Sequence, residues 1–298
     1  MDKLKIGYFA DGSWSHMAFE KIVKDDTIKI QFIVPRTDST DKTLLNYAKK
    51  YNIPYFKGIK VNSDEFYDLA KTFECDLFVS MSFNQIFKER IINLPKHKII
   101  NCHAGKLPFY RGRNILNWAL INDEVQFGIT VHYVDLGIDT GDIILQRVFP
   151  ITDEDNYSTL LEKSYLECSS ILYDAIKTIQ RFEVKAIKQS TIHPIGFYCG
   201  KRGYGDEIIN WNQTSREIFN FIRSISKPGP IATTFFKGAE IRINKSKIVN
   251  DVPKYKGTVG QLLAKTEKGF LIKTNDSFIE IYEIETKIKI SVGDKLGL

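Results

Sequence analysis

Short runs of Ile, Val, Leu and Phe recur through residues 1–183, separated by segments whose apolar positions fall at helical spacing. Leu4–Phe9, Ile28–Val34, Asp76–Met81 and Lys98–Cys102 predict buried strands. Trp14–Lys24, Asp41–Tyr51 and Ser63–Phe73 predict the helices between them. Such alternation belongs to a parallel sheet covered by helices. Thr130–Val134 and Ile143–Val148 predict two further strands. A long helix follows, with Tyr157, Leu160, Leu161, Cys168, Ile171, Leu172, Ala175, Ile176 and Ile179 on one face. Thr152 and Asp155 are spaced as a capping box at its start.

Beyond residue 183 the pattern changes. Residues 184–210 are rich in Gly and polar side chains and read as a linker. Thr214 and Glu217 form a second capping-box pattern, opening a helix with Ile218, Phe219, Ile222 and Ile225 inward. Lys227-Pro228-Gly229-Pro230 stops it. Short strands are predicted at Ala232–Phe236, Glu240–Lys245, Thr258–Leu263, Phe270–Thr274 and Phe278–Ile284, with turns at Lys237-Gly238 and Asn275-Asp276. The expected fold is α/β: a Rossmann-like parallel sheet domain over residues 1–183, a linker over 184–210, and a small OB-like β-barrel over 211–298.

Composition narrows the class. At 298 residues, 43% hydrophobic and 26% charged, the chain reads as a globular protein with room for two cores. No apolar run approaches the roughly 18 residues of a membrane span. The N-terminal Met1-Asp2-Lys3-Leu4-Lys5 runs straight into a strand without a signal-peptide core. Cys75, Cys102, Cys168 and Cys199 are widely spaced and form no CxxC pair. They predict reduced thiols, a cytoplasmic setting and no metal site. The net charge of +6 is modest, its Lys and Arg scattered, and it suits an anionic small molecule better than nucleic acid. Neither GxGxxG nor GxxxxGK[ST] occurs, so no nicotinamide dinucleotide or ATP site is expected.

Chemistry concentrates in Asn101-Cys102-His103-Ala104-Gly105-Lys106-Leu107-Pro108-Phe109-Tyr110-Arg111-Gly112-Arg113 and in Asp135-Leu136-Gly137-Ile138-Asp139-Thr140-Gly141-Asp142. Asn101 and His103 fall at the carboxyl end of a predicted strand, where open α/β sheets bind ligands. Two apart on extended backbone, they point the same way. An Asn amide is a donor for a tetrahedral oxyanion, and a His is a proton acceptor near neutrality. Asp139, between two glycines, would orient the His. Together they suit attack on a carbonyl through a tetrahedral intermediate. His132, on an alternating strand, reads as a packed histidine, and Trp211 as core.

The run NCHAGKLPFYRG followed by GITVHYVDLGIDTGDII resembles the folate-dependent formyltransferases. Their pattern is Asn-x-His, then Leu-Pro-x-aromatic-basic-Gly, then Asp in a Gly-rich loop. One departure is Ala104-Gly105 after the His, where the family usually has Ser or Pro-Ser before Leu-Leu-Pro. The resemblance implies Asn101, His103 and Asp139 as the catalytic trio and 10-formyltetrahydrofolate as donor. It also implies that the loops holding Met81, Ser82, Phe83, Gln85, Ile86, Asp135, Gly137 and Ile138 grip the pterin.

Tyr110-Arg111-Gly112-Arg113-Asn114-Ile115-Leu116-Asn117-Trp118 and Gly200-Lys201-Arg202 further resemble the enzymes that formylate UDP-4-amino-4-deoxy-arabinose. The segment Val34–Lys42 is short and nearly neutral, without the basic insertion of methionyl-tRNA formyltransferases. The expected acceptor is therefore a nucleotide-linked amino sugar, UDP- or dTDP-linked, for surface glycan biosynthesis. Asp11, Gly12, Ser13, Tyr110, Arg111, Gly112, Arg113, Lys201 and Arg202 are its expected contacts, guanidinium being suited to phosphate. Nucleic acid and membrane are not expected partners, and a homodimer would be unsurprising. The alternatives are methionyl-tRNA formyltransferase, formyltetrahydrofolate hydrolase and an RNA-binding module.

Overall fold

The structure, a computed structural model, describes residues 2–254 and 256–297. The chain opens with Leu4–Ala10 (β1), Gly12–Ile22 (α1), Ile28–Val34 (β2), Thr43–Tyr51 (α2), Asp64–Thr72 (α3) and Leu77–Met81 (β3). Glu89–Ile92 (α4), Ile99–His103 (β4), Arg111–Gly112 (β5), Ile115–Ile121 (α5), Gln126–Tyr133 (β6) and Ile143–Pro150 (β7) follow. After them come Tyr157–Gln180 (α6), Gln189–Ile192 (α7), Tyr198–Cys199 (β8) and Ser215–Ser224 (α8). The last strands are Ala232–Phe236 (β9), Ala239–Ile248 (β10), Leu262–Lys265 (β11), Gly269–Lys273 (β12) and Phe278–Thr286 (β13). These elements form two compact units. The first takes Met1–Gly112, Phe127–Phe149 and Glu162–Tyr198, the second Arg113–Gln126, Pro150–Leu161 and Cys199–Leu298.

The first unit carries a six-stranded sheet in the order β2-β1-β3-β4-β6-β7. β1 to β4 run parallel, and β6 lies antiparallel to β4. Its core is aromatic: Phe9 meets Phe32, Phe66, Phe78 and Phe87 edge-on at 5.1–5.9 Å between ring centres. Gly7 makes room for them, since a Cβ there would lie 2.5 Å from Phe32 Cζ and 2.8 Å from Phe78 Cδ1. The parallel-rich Rossmann-like sheet matches the sequence expectation, with strand ends shifted by a few residues.

The second unit holds an antiparallel sheet in the order β11-β12-β13-β10-β9. Residues near the C-terminus bridge its two outer edges, Gly297 to Phe235 and Lys295 to Gln261. Its core gathers Trp211, Ile218, Ile222, Ile241, Ile243, Ile272, Ile279 and Ile281. The Thr214–Glu217 capping box is present at the start of α8. The Thr152–Asp155 pair bonds as well, Thr152 N donating to Asp155 at 2.8 Å. It does not open α6, however. The first turn is capped by Asn156, whose Oδ1 accepts from the Ser158 and Thr159 N–H groups at 2.9 and 3.3 Å. β11 starts later than its hydrophobic pattern predicts, because Gly260 turns at φ +81° against Leu296 O.

Asp25 ties the entry of β2 to α6. Its carboxylate accepts from Thr27 N at 2.8 Å, Thr27 Oγ1 at 2.6 Å, Tyr173 Oη at 2.7 Å and Lys177 Nζ at 2.9 Å. Burial alone would raise its pKa, but the bonds from Thr27, Lys177 and Tyr173 outweigh it and hold it well below the carboxylate range. A depressed folded value stabilises fully above the unfolded pKa of about 4 and loses that stabilisation as pH falls below it. Asp25→Asn is therefore expected to cost about 1–3 kcal/mol at pH 7. In urea unfolding across a pH series, the gap from wild type should shrink below pH ~4. A gap unchanged down to pH ~2.5 would contradict this account.

Candidate active site

Strand β4 delivers Asn101 and His103, and its register with β6 sets Asn101 opposite His132 and His103 opposite Thr130. Asn101 Nδ2 lies 3.3 Å from His132 Nε2 and 3.5 Å from Asp139 Oδ1, which fixes the plane of the amide. His132 Nδ1 faces Tyr133 O at 2.7 Å. His103, 8% exposed, has Nε2 at 2.7 Å from Tyr110 O and Nδ1 at 3.5 Å from Asp139 Oδ2. Asn101, His103 and Asp139, widely separated in sequence, thus meet at one point.

Asp139 is held in the left-handed region at φ +53°, a conformation uncommon outside glycine. Its carboxylate accepts from Gly112 N at 2.8 Å and faces His132 Nε2 at 3.3 Å. Burial would raise its pKa. His103, His132 and the Gly112 N–H together prevail and hold it well below the carboxylate range, so it is an anion throughout the neutral range. The loop around it is tight. A Cβ on Gly141 would lie 1.8 Å from Tyr133 O, and one on Gly137 would lie 2.0 Å from Thr140 Oγ1. Asp135 staples this loop, accepting from Gly137 N at 3.1 Å and Thr140 Oγ1 at 2.5 Å.

The departure from the family pattern after His103 has a local reason. A Cβ on Gly105 would fall 2.3 Å from His103 Nε2 and 2.4 Å from Tyr110 O, breaking the contact that seats the ring. Thr130 Oγ1 donates to Gly105 O at 2.6 Å, and Gln146 Nε2 donates to Leu107 O at 2.9 Å, fixing that turn.

The remaining expected residues take varied places. Met81 is buried at the end of β3, and Ser82 turns at φ +54°. Phe83 stacks on Phe87 at 5.5 Å, and Gln85 bridges Val61 N and Ile59 O. Ile86, Leu136 and Ile138 stay exposed at 67%, 68% and 49%, which leaves apolar side chains open on both of the loops expected to grip a pterin. Asp11 accepts from Ser39 Oγ at 2.9 Å, Gly12 turns at φ +72° into α1, and Ser13 is exposed. Tyr110 is buried, and Arg111 donates to Gln189 Oε1 through Nε at 3.2 Å and its terminal nitrogen at 2.7 Å. Arg113, Lys201 and Arg202 belong to the second unit. There Arg202 sits over the Trp118 and Phe221 rings at 5.2 and 5.6 Å.

Two residues of the cluster escape sequence reasoning. His132 has the alternating surroundings of a packed side chain, and only strand register brings it against Asp139. Gln189 lies in the stretch that reads as a linker. Among the described residues no helix is long and apolar enough to cross a membrane, and no group of three His, Cys, Asp or Glu is placed to hold a metal ion.

A formyl transferase family model matches residues 20–176, and a formyl transferase C-terminal domain model matches residues 203–295. The chain is 30% identical over 285 residues to a methionyl-tRNA formyltransferase of Fusobacterium nucleatum, covering 93% of this chain and 91% of that one. It is 30% identical over 254 residues to a methionyl-tRNA formyltransferase of Pelotomaculum thermopropionicum, covering 84% and 79%. Among solved structures it is similar to the N-formyltransferase of Helicobacter canadensis in complex with folinic acid and dTDP-3-aminofucose. That likeness has a TM-score of 0.70 at 27% identity, over 96% of this chain and 100% of that one.

These findings overturn two expectations, a nucleotide-linked amino sugar as acceptor and the exclusion of nucleic acid as a partner. Curated relatives at 28–31% identity across most of the chain are methionyl-tRNA formyltransferases, whereas sugar enzymes enter as structural neighbours. Charge is divided unevenly along the chain. Residues 211–298 hold 15 Lys and Arg against 9 Asp and Glu, while residues 1–210 hold 27 against 27. All of the net +6 therefore lies in the C-terminal part. With both of its domain models matched in order along one chain, the protein belongs to the formyl transferase family and is a formyltransferase.

Proposed function

We propose that the enzyme transfers the formyl group of 10-formyltetrahydrofolate to the α-amine of methionyl-tRNA. The observation that carries this reading is the continuous match to methionyl-tRNA formyltransferases, 93% of this chain against 91% of the relative. The charge distribution supports it. Lys247, Lys265, Lys268, Lys287, Lys289 and Lys295 are exposed in the basic C-terminal part, where phosphates would be neutralised. In the folate loops, the exposed Ile86, Leu136 and Ile138 supply the apolar surface that a flat pterin would cover.

In this reaction the amine nitrogen bonds to the formyl carbon and the bond from that carbon to folate N10 breaks. The proton lost by the amine ends on N10. Asn101 Nδ2, held by His132 and Asp139, donates to the oxygen of the tetrahedral intermediate. His103 carries the proton at the reacting centre, oriented by Tyr110 O and Asp139. Asp139, kept anionic, balances the charge that develops on the ring.

The acceptor is tested by incubating the enzyme with labelled donor and charged initiator tRNA. Formyl-methionine should appear on the tRNA. Raising salt from 50 to 200 mM should raise the KM for tRNA by roughly an order of magnitude or more, leaving the folate KM nearly unchanged. Unmodified Met-tRNA, under conditions where the donor is spent on another amine, would overturn the acceptor and leave the family chemistry standing.

A second expectation concerns His132. His132→Phe removes a partner of both Asn101 and Asp139 and should lower kcat by roughly 10–100-fold, with the folate KM within about twofold of wild type. Wild-type kcat in that variant would mean that the carboxylate keeps its place without the ring.

A further inference from the structure

We infer that Gln189 is a positioning residue for the formyl transfer, holding the Asp139 loop against the Tyr110–Gly112 loop. The inference rests on Asp139 acting as proposed above. It goes beyond that reading by giving a role to the stretch whose composition suggests only a linker.

The segment reaches the site by a specific route. Ile187 exchanges two backbone hydrogen bonds with Ile143, each 2.8 Å, directly after the Asp139–Asp142 loop. Gln189 follows at the start of α7 and is 4% exposed. Its amide is used at both ends. Nε2 donates to Asp139 O and to Gly141 O, both at 2.8 Å, while Oε1 accepts from Arg111 Nε at 3.2 Å and from its terminal nitrogen at 2.7 Å. A few residues later the same segment takes Arg111 again, Arg111 N donating to Phe197 O at 3.1 Å. Gly196 lies against the guanidinium, where a Cβ would stand 2.6 Å from Arg111 Cζ.

Both loops need such a hold. Asp139 sits at φ +53° and Tyr110 at φ +55°, conformations that persist only where their surroundings impose them. Gly112 N binds the Asp139 carboxylate and Tyr110 O binds His103, so each loop supplies a contact within the cluster. Gln189 touches no reacting atom. It fixes the backbone carbonyl of Asp139 while Gly112 and the histidines fix its side chain, so the residue is held from both ends. Only an amide has the donors for Asp139 and Gly141 together with an acceptor for Arg111.

The two halves of the amide are separated by substitution. Gln189→Met loses both halves. Gln189→Glu keeps the acceptor for Arg111 but sets an oxygen against the carbonyls of Asp139 and Gly141. Each should lower kcat by about 10–100-fold, with the folate KM within about twofold of wild type and thermal unfolding still cooperative. A Gln189→Glu variant with wild-type kcat beside a slow Gln189→Met variant would overturn the inference, placing the role at Arg111. The second measurement repeats Gln189→Met in an Asp139→Asn background. Acting through Asp139, it should add less than about threefold to the loss already present. The full further loss in that background would mean general loosening of the fold and would also overturn the inference. If Asp139→Asn alone transfers at the wild-type rate, the catalytic reading fails, an outcome distinct from a normal Gln189→Met variant.

Discussion

The Asp139 carboxylate, its side chain 13% exposed, is met by Gly112 N, His103, His132 and Asn101, and the arrangement of the site depends on that convergence. Withdrawing a carboxylate from water costs several kcal/mol unless hydrogen bonds replace the lost hydration. Here the replacement comes from four residues on three segments, so the charge can be buried only when β4, β6 and the Tyr110–Gly112 loop are all in register. The same requirement makes the cluster chemically useful. In the proposed reaction a carboxylate kept anionic beside the imidazole orients the ring.

Around this point the sequence trades side chains for space. Gly105 leaves room for the His103 ring against Tyr110 O, and Gly141 leaves room for Tyr133 O. Gly137 clears Thr140, whose hydroxyl closes the loop on Asp135. Each of these glycines answers a close approach, and each approach fixes one of the loops around the Asn101–His103–Asp139 cluster. Charge is divided just as unevenly along the chain. The part holding the trio is neutral over residues 1–210, and residues 211–298 carry the net +6.

Much of this was legible in the residues. The buried strands announced themselves as Ile/Val/Phe runs, the long helix as a periodic face, and the Thr214 capping box sits where its spacing put it. Asn101, His103 and Asp139 were legible through the resemblance, on its Asn-x-His pair and its Asp in a Gly-rich loop, and the fold brings the three together. What local pattern does not encode is register and long-range contact. Nothing near His132 reveals that β4 presents Asn101 opposite it. Nothing near Gln189 shows that Ile143 pins the preceding residues beside the Asp139 loop. The helix Ile115–Ile121 has no polar period to betray it, being apolar at almost every position. At Thr152 the capping-box hydrogen bond is present, but Asn156 lies nearer and caps the first turn of α6.

The central claim, that Asp139 organises the transfer step and not donor binding, is tested most directly by single-turnover kinetics of Asp139→Asn. Formyl transfer from bound 10-formyltetrahydrofolate to saturating acceptor would be timed alongside the donor's dissociation constant. An isosteric amide keeps the shape and removes the charge, so the rate should fall by roughly 100-fold or more while donor affinity stays within about threefold of wild type. A transfer rate equal to wild type would contradict the account, as would a loss that lies entirely in donor affinity.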